Sequence, residues 1–190
     1  MQQPKGLLKK LRNIRKKGAC EIYFEDECHF QRTATITRAW FLRGSTPEIK
    51  SPAVKEKISI LGAIGMDNGQ LITQEADIFN ADSFKKFIKA ILKAAKTKKK
   101  ILLVLDNARF HHAKVNKEFL LSVREKIELM YLPPYSPDIN PIESFWKKTR
   151  RNVTHNRYFE SLDEERNSLN KFFRKFKKPN DTLIKLSAKY

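Results

Sequence analysis

The chain has 190 residues, which is enough for one domain with a substantial core, and it carries a formal net charge of +18. So large an excess of positive charge predicts a polyanionic partner, and nucleic acid is the usual one. No apolar run approaches the roughly 20 residues of a membrane-spanning helix, so we expect neither a membrane partner nor a signal peptide. The two cysteines, Cys20 and Cys28, fit neither a CxxC motif nor a disulfide framework, which indicates a reduced, intracellular protein.

Residues 1–19 are predicted to form a basic helical arm. Leucines such as Leu7 and Leu11 recur at helical spacing, and basic residues, among them Lys9 and Lys10, cover the rest of the helix. Two interpretations remain open. The arm could lie along DNA phosphates, or it could be a solvated helix that packs through its leucine stripe.

The following segments have the composition of strands joined by turns. Residues 21–27 combine aromatic and β-branched residues with an acidic end, which we expect to stop the first strand. Residues 33–42 and 56–65 are predicted as the next two strands. An Asn-Gly turn at 67–69 then leads into a short strand at 71–73.

The sequence pattern of the second half of the chain predicts alternating helices and strands. A helix begins at residues 80–83, and the unbroken apolar run at 101–105 predicts a central strand buried on both faces. A second helix is predicted over 114–126 with Val115 facing inward, and the last strand over 127–132. A basic amphipathic helix is predicted within residues 156–190, packed on the core or on a partner.

Carboxylates stand at the ends of three of these elements. Asp26 lies in the acidic run of the first strand, and Asp106 directly follows the central strand, where ligands collect in open α/β sheets. Concentrated acids suit a bound cation, although an ordinary acidic loop is the alternative. Glu143 takes the third position of a helix that Asn140 caps and Pro141 begins. It either closes a capping box or is delivered by the proline-rich loop toward the other two acids.

This order of elements is that of a ribonuclease-H-like α/β fold, with a mixed five-stranded sheet flanked by helices. The specific motifs are Phe-Glu-Asp-Glu at 24–27, Leu-Asp-Asn-Ala at 105–108 and Leu-Pro-Pro-Tyr-Ser-Pro-Asp-Ile-Asn-Pro-Ile-Glu at 132–143. Together they resemble the catalytic domain of DDE transposases, in particular the mariner superfamily and its bacterial insertion-sequence relatives. The resemblance covers residues 20–155, which we expect to form the catalytic domain.

The resemblance implies a catalytic triad of Asp26, Asp106 and Glu143 that also holds two Mg²⁺ or Mn²⁺ ions. It implies that water first cleaves DNA at the transposon end. The freed 3′-hydroxyl then attacks the target DNA, and no protein nucleophile takes part. A stand-alone DNA nuclease of the same fold and a non-catalytic DNA-binding remnant are the alternatives.

Weaker candidates surround the acids. Asn107 and His112 are predicted as supporting residues, although a loop histidine more often has no special role. Arg109 and Lys147 are predicted phosphate contacts, in addition to the basic arm. Trp146 could stack on a base, although a core position is the commoner role of such a residue.

The same resemblance sets expectations about partners. We expect DNA, both transposon ends and target, and a dimer on that DNA. Relatives carry helix-turn-helix modules before the catalytic domain, and the short stretch before Asp26 has no room for them. A separate DNA-binding half or a trimmed copy is therefore expected, with binding that depends strongly on salt and little on sequence. The expected location is the cytoplasm of a bacterium, at the nucleoid.

Overall fold

The computed structural model describes residues 4–133 and 139–187, and its centre is a five-stranded mixed sheet with the strand order β3-β2-β1-β4-β5. The strands are β1 Cys20–Gln31, β2 Lys57–Gly65, β3 Leu71–Glu75, β4 Lys100–Leu105 and β5 Ile127–Tyr131. The first three pair antiparallel, whereas β4 runs parallel to both β1 and β5. The predicted ribonuclease-H-like arrangement is confirmed.

Helices cover both faces of this sheet. They are α1 Pro4–Lys17, α2 Ala81–Ala94, α3 Lys117–Ser122, α4 Pro141–Thr149, α5 Leu162–Arg174 and α6 Asp181–Ser187. One face packs against α2 and α3, and the other against α1, α4, α5 and α6. Within residues 4–133 and 139–187, no helix is long and apolar enough to cross a bilayer.

The strand β4 is buried on both faces, as its apolar run predicts. Leu103 and Leu105 pack toward α2, while Leu102 and Val104 pack toward α1. Successive side chains of a strand point to opposite faces, and Asp106 directly follows the last residue of this strand.

The helix α2 begins where its sequence predicts. The side chain of Asn80 accepts hydrogen bonds from the N–H groups of Asp82 and Ser83, and the Ser83 hydroxyl accepts from the Asn80 N–H. This capping box fixes the start of the helix. Its buried stripe includes Phe84 and Phe87.

Two strand predictions are wrong. The strand β1 continues past the acids to Gln31, because Cys28 and Phe30 extend the buried alternation against β2. Residues 33–42 do not form a strand. One isolated β-bridge joins Thr35 to His155. The side chain of Asn156 accepts a hydrogen bond from the Thr37 N–H and donates one to the Thr37 carbonyl oxygen.

The predicted helix over 114–126 is much shorter than expected. A 3₁₀ turn covers Lys114–Asn116 before α3 begins, and Val115 is exposed rather than buried. The buried Asn116 side chain donates to the Ala81 carbonyl oxygen at 2.7 Å, which anchors this turn to the start of α2.

The first helix and the last two helices pack on the same face of the sheet. In α1, Leu7 and Leu11 are buried against the sheet, while Lys9 and Lys10 are exposed, so the packed-helix interpretation of the arm describes the structure. At the other end, two helices, α5 and α6, stand in place of the single predicted helix. The apolar residues of α5 join the core beside α4.

Candidate active site

Asp26 and Asp106 are neighbours by the register of the sheet. In the parallel pairing of β1 with β4, Phe24 lies opposite Val104, and each aspartate follows two residues later. By the alternation of the strand, Asp26 lies on the face that packs against α1 and α4. Asp106 lies just beyond the end of β4, and its side chain is 52% exposed, so it borders solvent at the edge of the sheet.

The start of α4 is fastened directly to β1. Asn140 accepts a hydrogen bond from the Ile142 N–H at 3.3 Å and donates its amide N–H to the Glu25 carbonyl oxygen at 2.8 Å. The first turn of α4, with Glu143, therefore lies next to the β1 backbone beside Asp26. Among the residues that the structure describes, none forms a hydrogen bond with the Glu143 carboxylate. The capping-box alternative for Glu143 is thus not formed.

The carboxylate of Asp26 has an unusual electrostatic environment. Burial first, and then the negative charges of Glu27, Glu143 and Asp106, raise the pKa of Asp26 to about 8. Asp26 thus interacts with both of the other predicted acids. The neighbouring carboxylates thus disfavour the ionisation of Asp26. A hard divalent cation such as Mg²⁺ or Mn²⁺ would neutralise their charge, and it prefers oxygen ligands of this kind.

Trp146 contacts Asp26 from within the core. Its indole N–H donates to Asp26 Oδ2 at 3.1 Å, and the residue is only 2% exposed. The ring packs among Phe30, Phe145 and Phe173. Of the two interpretations of Trp146, the core position describes the structure, in which the residue is buried.

A second group of titratable residues lies on the opposite face of β1. Glu25 and His111 are buried there and Glu27 is half-buried, with His111 Nε2 at 3.1 Å from Glu27 Oε1 and 3.6 Å from Glu25 Oε2. The other ring nitrogen, Nδ1, lies 3.3 Å from Asp106 Oδ1. Burial lowers the pKa of His111, but the carboxylates of Asp106, Glu27 and Glu25 outweigh it and raise the pKa to about 10. The ring is therefore an imidazolium at neutral pH.

This second group has the donor types of a metal site. Ligand atoms of Glu25, Glu27 and His111 lie within 4.8 Å of one another, a closeness that the predicted acids do not reach in the described part of the chain. The charged imidazole, however, already supplies the positive partner that the two glutamates need. Burial and the charge of Glu27 raise the pKa of Glu25 well above its usual range.

The weaker predicted residues lie around this edge. The Nε2 atom of His112 is 2.8 Å from Asn107 Oδ1, and its ring stacks on Tyr131. Arg109 and Lys147 are exposed on elements that flank the acids. Their contacts with DNA, like those of the basic residues of α1, stay predictions.

Sequence reasoning missed the roles of Glu25, Glu27 and His111. The period of two along a strand could have placed the two glutamates on one face, opposite to Asp26. Buried carboxylates need a cationic partner, and His111 is one of three histidines near the acids in sequence. Nothing in the sequence distinguishes it from His112, since the 3₁₀ turn at Arg109–His112 decides which ring points inward.

Comparison with known proteins identifies relatives. The sequence model of the DDE superfamily endonuclease family matches residues 21–166. The chain is 25% identical over 141 residues to the "Insertion element IS630 uncharacterized 39 kDa protein" of Shigella sonnei, covering 74% of this chain and 41% of that protein. It is 41% identical over 63 residues to "Uncharacterized protein y4pE/y4sA" of Sinorhizobium fredii (strain NBRC 101917 / NGR234), covering 33% of this chain and 43% of that one. The chain thus spans less than half the length of these relatives.

Solved structures share the fold. The Mos1 strand transfer complex superposes with a TM-score of 0.70 at 16% identity, covering 96% of this chain and 55% of that chain. The catalytic domain of Mos1 mariner transposase gives a TM-score of 0.64 at 16% identity, covering 96% of this chain and 83% of that one. At such identities the likeness establishes the ribonuclease-H-like fold.

Proposed function

The chain belongs to the DDE superfamily endonucleases, and we propose that it is the metal-dependent catalytic domain of a DNA transposase. In this proposal it cleaves DNA at transposon ends and transfers the freed 3′-hydroxyl to target DNA. The observation that supports it best is the coupling of the Asp26 carboxylate to both Asp106 and Glu143 at one edge of the sheet. The Mos1 strand transfer complex, a transposase assembly with the same fold, adds further support.

In this proposal Asp26, Asp106 and Glu143 would hold the Mg²⁺ or Mn²⁺ ions. The related Mos1 paired-end complexes with Mn and with Mg support a divalent metal. When bound, such ions activate the attacking oxygen and stabilise the leaving oxygen. The protein needs no nucleophile of its own for this chemistry.

The chain's own residues hold these carboxylates in place before DNA arrives. Asp106 Oδ1 accepts a hydrogen bond from the Ala108 N–H at 2.9 Å and contacts the His111 ring. The Asn140 side chain keeps the first turn of α4, and with it Glu143, against β1. Fixed acids of this kind lower the reorganisation needed at the moment of reaction.

The positive charge of the chain gives it an affinity for the DNA backbone. With a net charge of +18, exposed basic side chains can neutralise phosphates, and we assign this role to Arg109, Lys147, Lys9 and Lys10. We further propose that two copies act together on the paired DNA ends. A separate helix-turn-helix half would read those ends, in the cytoplasm of a bacterium at its nucleoid.

The test is cleavage of a DNA duplex that carries the element end, with Mg²⁺ or Mn²⁺. We expect the wild type to nick this DNA and Asp106→Asn to bind it without cutting, because the variant loses a metal-binding charge. The matched control is Glu118→Gln, an exposed acid on α3. Equal cutting by all three proteins would refute the assignment of Asp106.

The same assay separates the alternatives. Cutting without strand joining, even when a DNA-binding half is added, would indicate a stand-alone nuclease. Binding without any cutting under the same conditions would indicate a DNA-binding remnant.

A further inference from the structure

We propose that Trp146 is a positioning residue for Asp26, and that Gly62 provides the space for this role. The inference rests on the proposed function, in which Asp26 is a metal ligand. Its structural basis is a contact between α4 and the centre of the sheet. The Trp146 side of this contact lies in the core.

A side-chain hydrogen bond joins Trp146 to Asp26. The indole N–H of Trp146 donates to Asp26 Oδ2 at 3.1 Å. It fixes the rotation of the carboxylate about its Cβ–Cγ bond, and thereby the direction in which the remaining lone pairs point. A ligand that is held by a hydrogen bond from a neighbouring side chain binds its metal in a defined orientation.

The core holds the Trp146 ring, which carries the donor, in a fixed position. Trp146 is 2% exposed, and aromatic rings surround it on several sides. Its centroid lies 5.5 Å from that of Phe145, 6.0 Å from Phe30 and 6.3 Å from Phe173. An indole packed in this way has no alternative rotamer to adopt, so it transfers the position of α4 to Asp26.

The ring of Trp146 occupies the space next to Gly62, which has no side chain. Gly62 is the cross-strand partner of Asp26 in the pairing of β1 with β2. A Cβ atom at Gly62 would lie 2.5 Å from Cη2 and Cζ2 of Trp146 and 3.0 Å from Cδ1 of Ile142. Two residues of α4 therefore rest directly on the backbone of β2. Any side chain at this position would lift α4, which also carries Glu143.

Gly62 and Trp146 thus set the separation between the acid on β1 and the acid on α4. The glycine is required for space here, since its backbone is that of an ordinary strand. The pair links the packing of α4 to the geometry of two proposed metal ligands.

The test uses the fluorescence of Trp146 itself. The chain contains two tryptophans, and the other, Trp40, is fully exposed outside the regular elements, so Trp40→Phe leaves Trp146 as the sole tryptophan. In this background we expect Mn²⁺, a paramagnetic quencher, to quench Trp146 emission on binding. Asp26→Asn should abolish that quenching.

The variants Trp146→Phe and Gly62→Ala are then measured by Mn²⁺ titration calorimetry. Phe keeps an aromatic ring in the core but loses the N–H donor, and we expect a loss of Mn²⁺ affinity of about 10- to 100-fold. Gly62→Ala should lower the affinity in the same direction by displacing the ring. The controls are Trp40→Phe and Gly6→Ala, since a Cβ at Gly6 meets nothing within 4 Å.

The possible failures are distinguishable. If Mn²⁺ binding depends on Asp26 but is unchanged in Trp146→Phe and does not quench Trp146, the positioning role is wrong and the proposed function stands. If the Trp40→Phe protein binds no Mn²⁺ at all, the proposed function and this inference both fail. A folded Trp146→Phe variant is verified by its thermal unfolding, and Gly62→Ala gives a second test with the indole present.

Discussion

His111 contacts the Asp106 carboxylate from the α2 side of the sheet, with Nδ1 at 3.3 Å from Asp106 Oδ1. The opposite ring nitrogen faces Glu27 at 3.1 Å. One buried imidazolium therefore connects a proposed metal ligand to the acids on the other face of β1. The ring orients Asp106 and neutralises charge that would otherwise be buried without a partner.

Removal of this imidazolium should destabilise the fold. In His111→Gln, Glu25 and Glu27 lose their cationic partner, and we expect the free energy of unfolding to fall by about 3–5 kcal/mol. Urea denaturation measures this change. The control is His112→Gln, an exposed neighbour for which we expect less than about 0.5 kcal/mol.

A double variant tests the cause of that loss. Adding Glu27→Gln to His111→Gln removes the carboxylate that lies 3.1 Å from the His111 ring, so part of the stability should return. A double variant that is less stable than the single one would show that the ion pair is not the origin of the effect.

The anchor at Asn140 should affect both stability and metal binding. Asn140→Ala removes the cap of α4 and leaves the Glu25 carbonyl oxygen without its donor, at a cost of about 1–3 kcal/mol. Because Glu143 is then free to move away from Asp26, the affinity for Mn²⁺ should fall as well. Calorimetric titration and thermal unfolding measure the two effects.

The comparison for this prediction is another helix cap. Asn80→Ala removes the cap of α2, which lies on the opposite face of the sheet from Asp26. It should lower stability and leave Mn²⁺ affinity unchanged. A similar loss of Mn²⁺ affinity in both variants would mean that the anchor has no specific role at the site.

Glu165 should make stability depend on pH. It is buried in α5, and its two carboxylate oxygens have no hydrogen-bond partner among residues 4–133 and 139–187. Burial raises its pKa from 4.5 to about 7 despite the nearby Arg32. The folded state therefore holds this proton more tightly than the unfolded state. Stability that is present below the unfolded pKa is lost as the pH rises through the folded pKa.

Glu165→Gln removes this dependence. At about pH 5 we expect the variant to melt at a temperature close to that of the wild type, and at about pH 8 to melt at a higher temperature than the wild type. Each kcal/mol of stability corresponds to about 2–4 °C in melting temperature. Glu160→Gln, at an exposed position, is the control. An equal difference at both pH values would contradict the assignment of the buried carboxyl.

Binding to DNA should weaken steeply with salt. Each phosphate contact contributes about one unit to the slope of log K against log salt, so changing both Lys9 and Lys10 to Gln should reduce the slope by about two. The change should be the same for unrelated DNA sequences. Lys86→Gln, which removes a lysine already paired with Asp82, is the control. An unchanged slope in the double variant would exclude Lys9 and Lys10 from the DNA-binding surface.

Much of the fold follows from local sequence. The apolar run of β4 predicts a strand buried on both faces, and the Asn80 and Asn140 caps predict where α2 and α4 begin. These features depend on residues close in sequence. Residues 33–42 have a strand-like composition but no partner strand, which only the tertiary structure can reveal.

Less of the candidate site can be predicted from residues that are close in sequence. The position of Trp146 on α4 is predictable, but its hydrogen bond to Asp26 depends on the empty space at Gly62, far away in sequence. The choice between His111 and His112 similarly depends on which of the two side chains the 3₁₀ turn at Arg109–His112 directs into the core. Contacts that cross between elements require the assembled sheet.

The most direct test of the account is a calorimetric titration of Mn²⁺ into the wild type and single variants of the proposed ligands. We expect Asp26→Asn, Asp106→Asn and Glu143→Gln each to lower the affinity by at least about tenfold. Glu118→Gln should have no effect. Unchanged affinity in the first three variants, or a loss confined to Glu27→Gln, would contradict the account and place the cation at the group that contains His111.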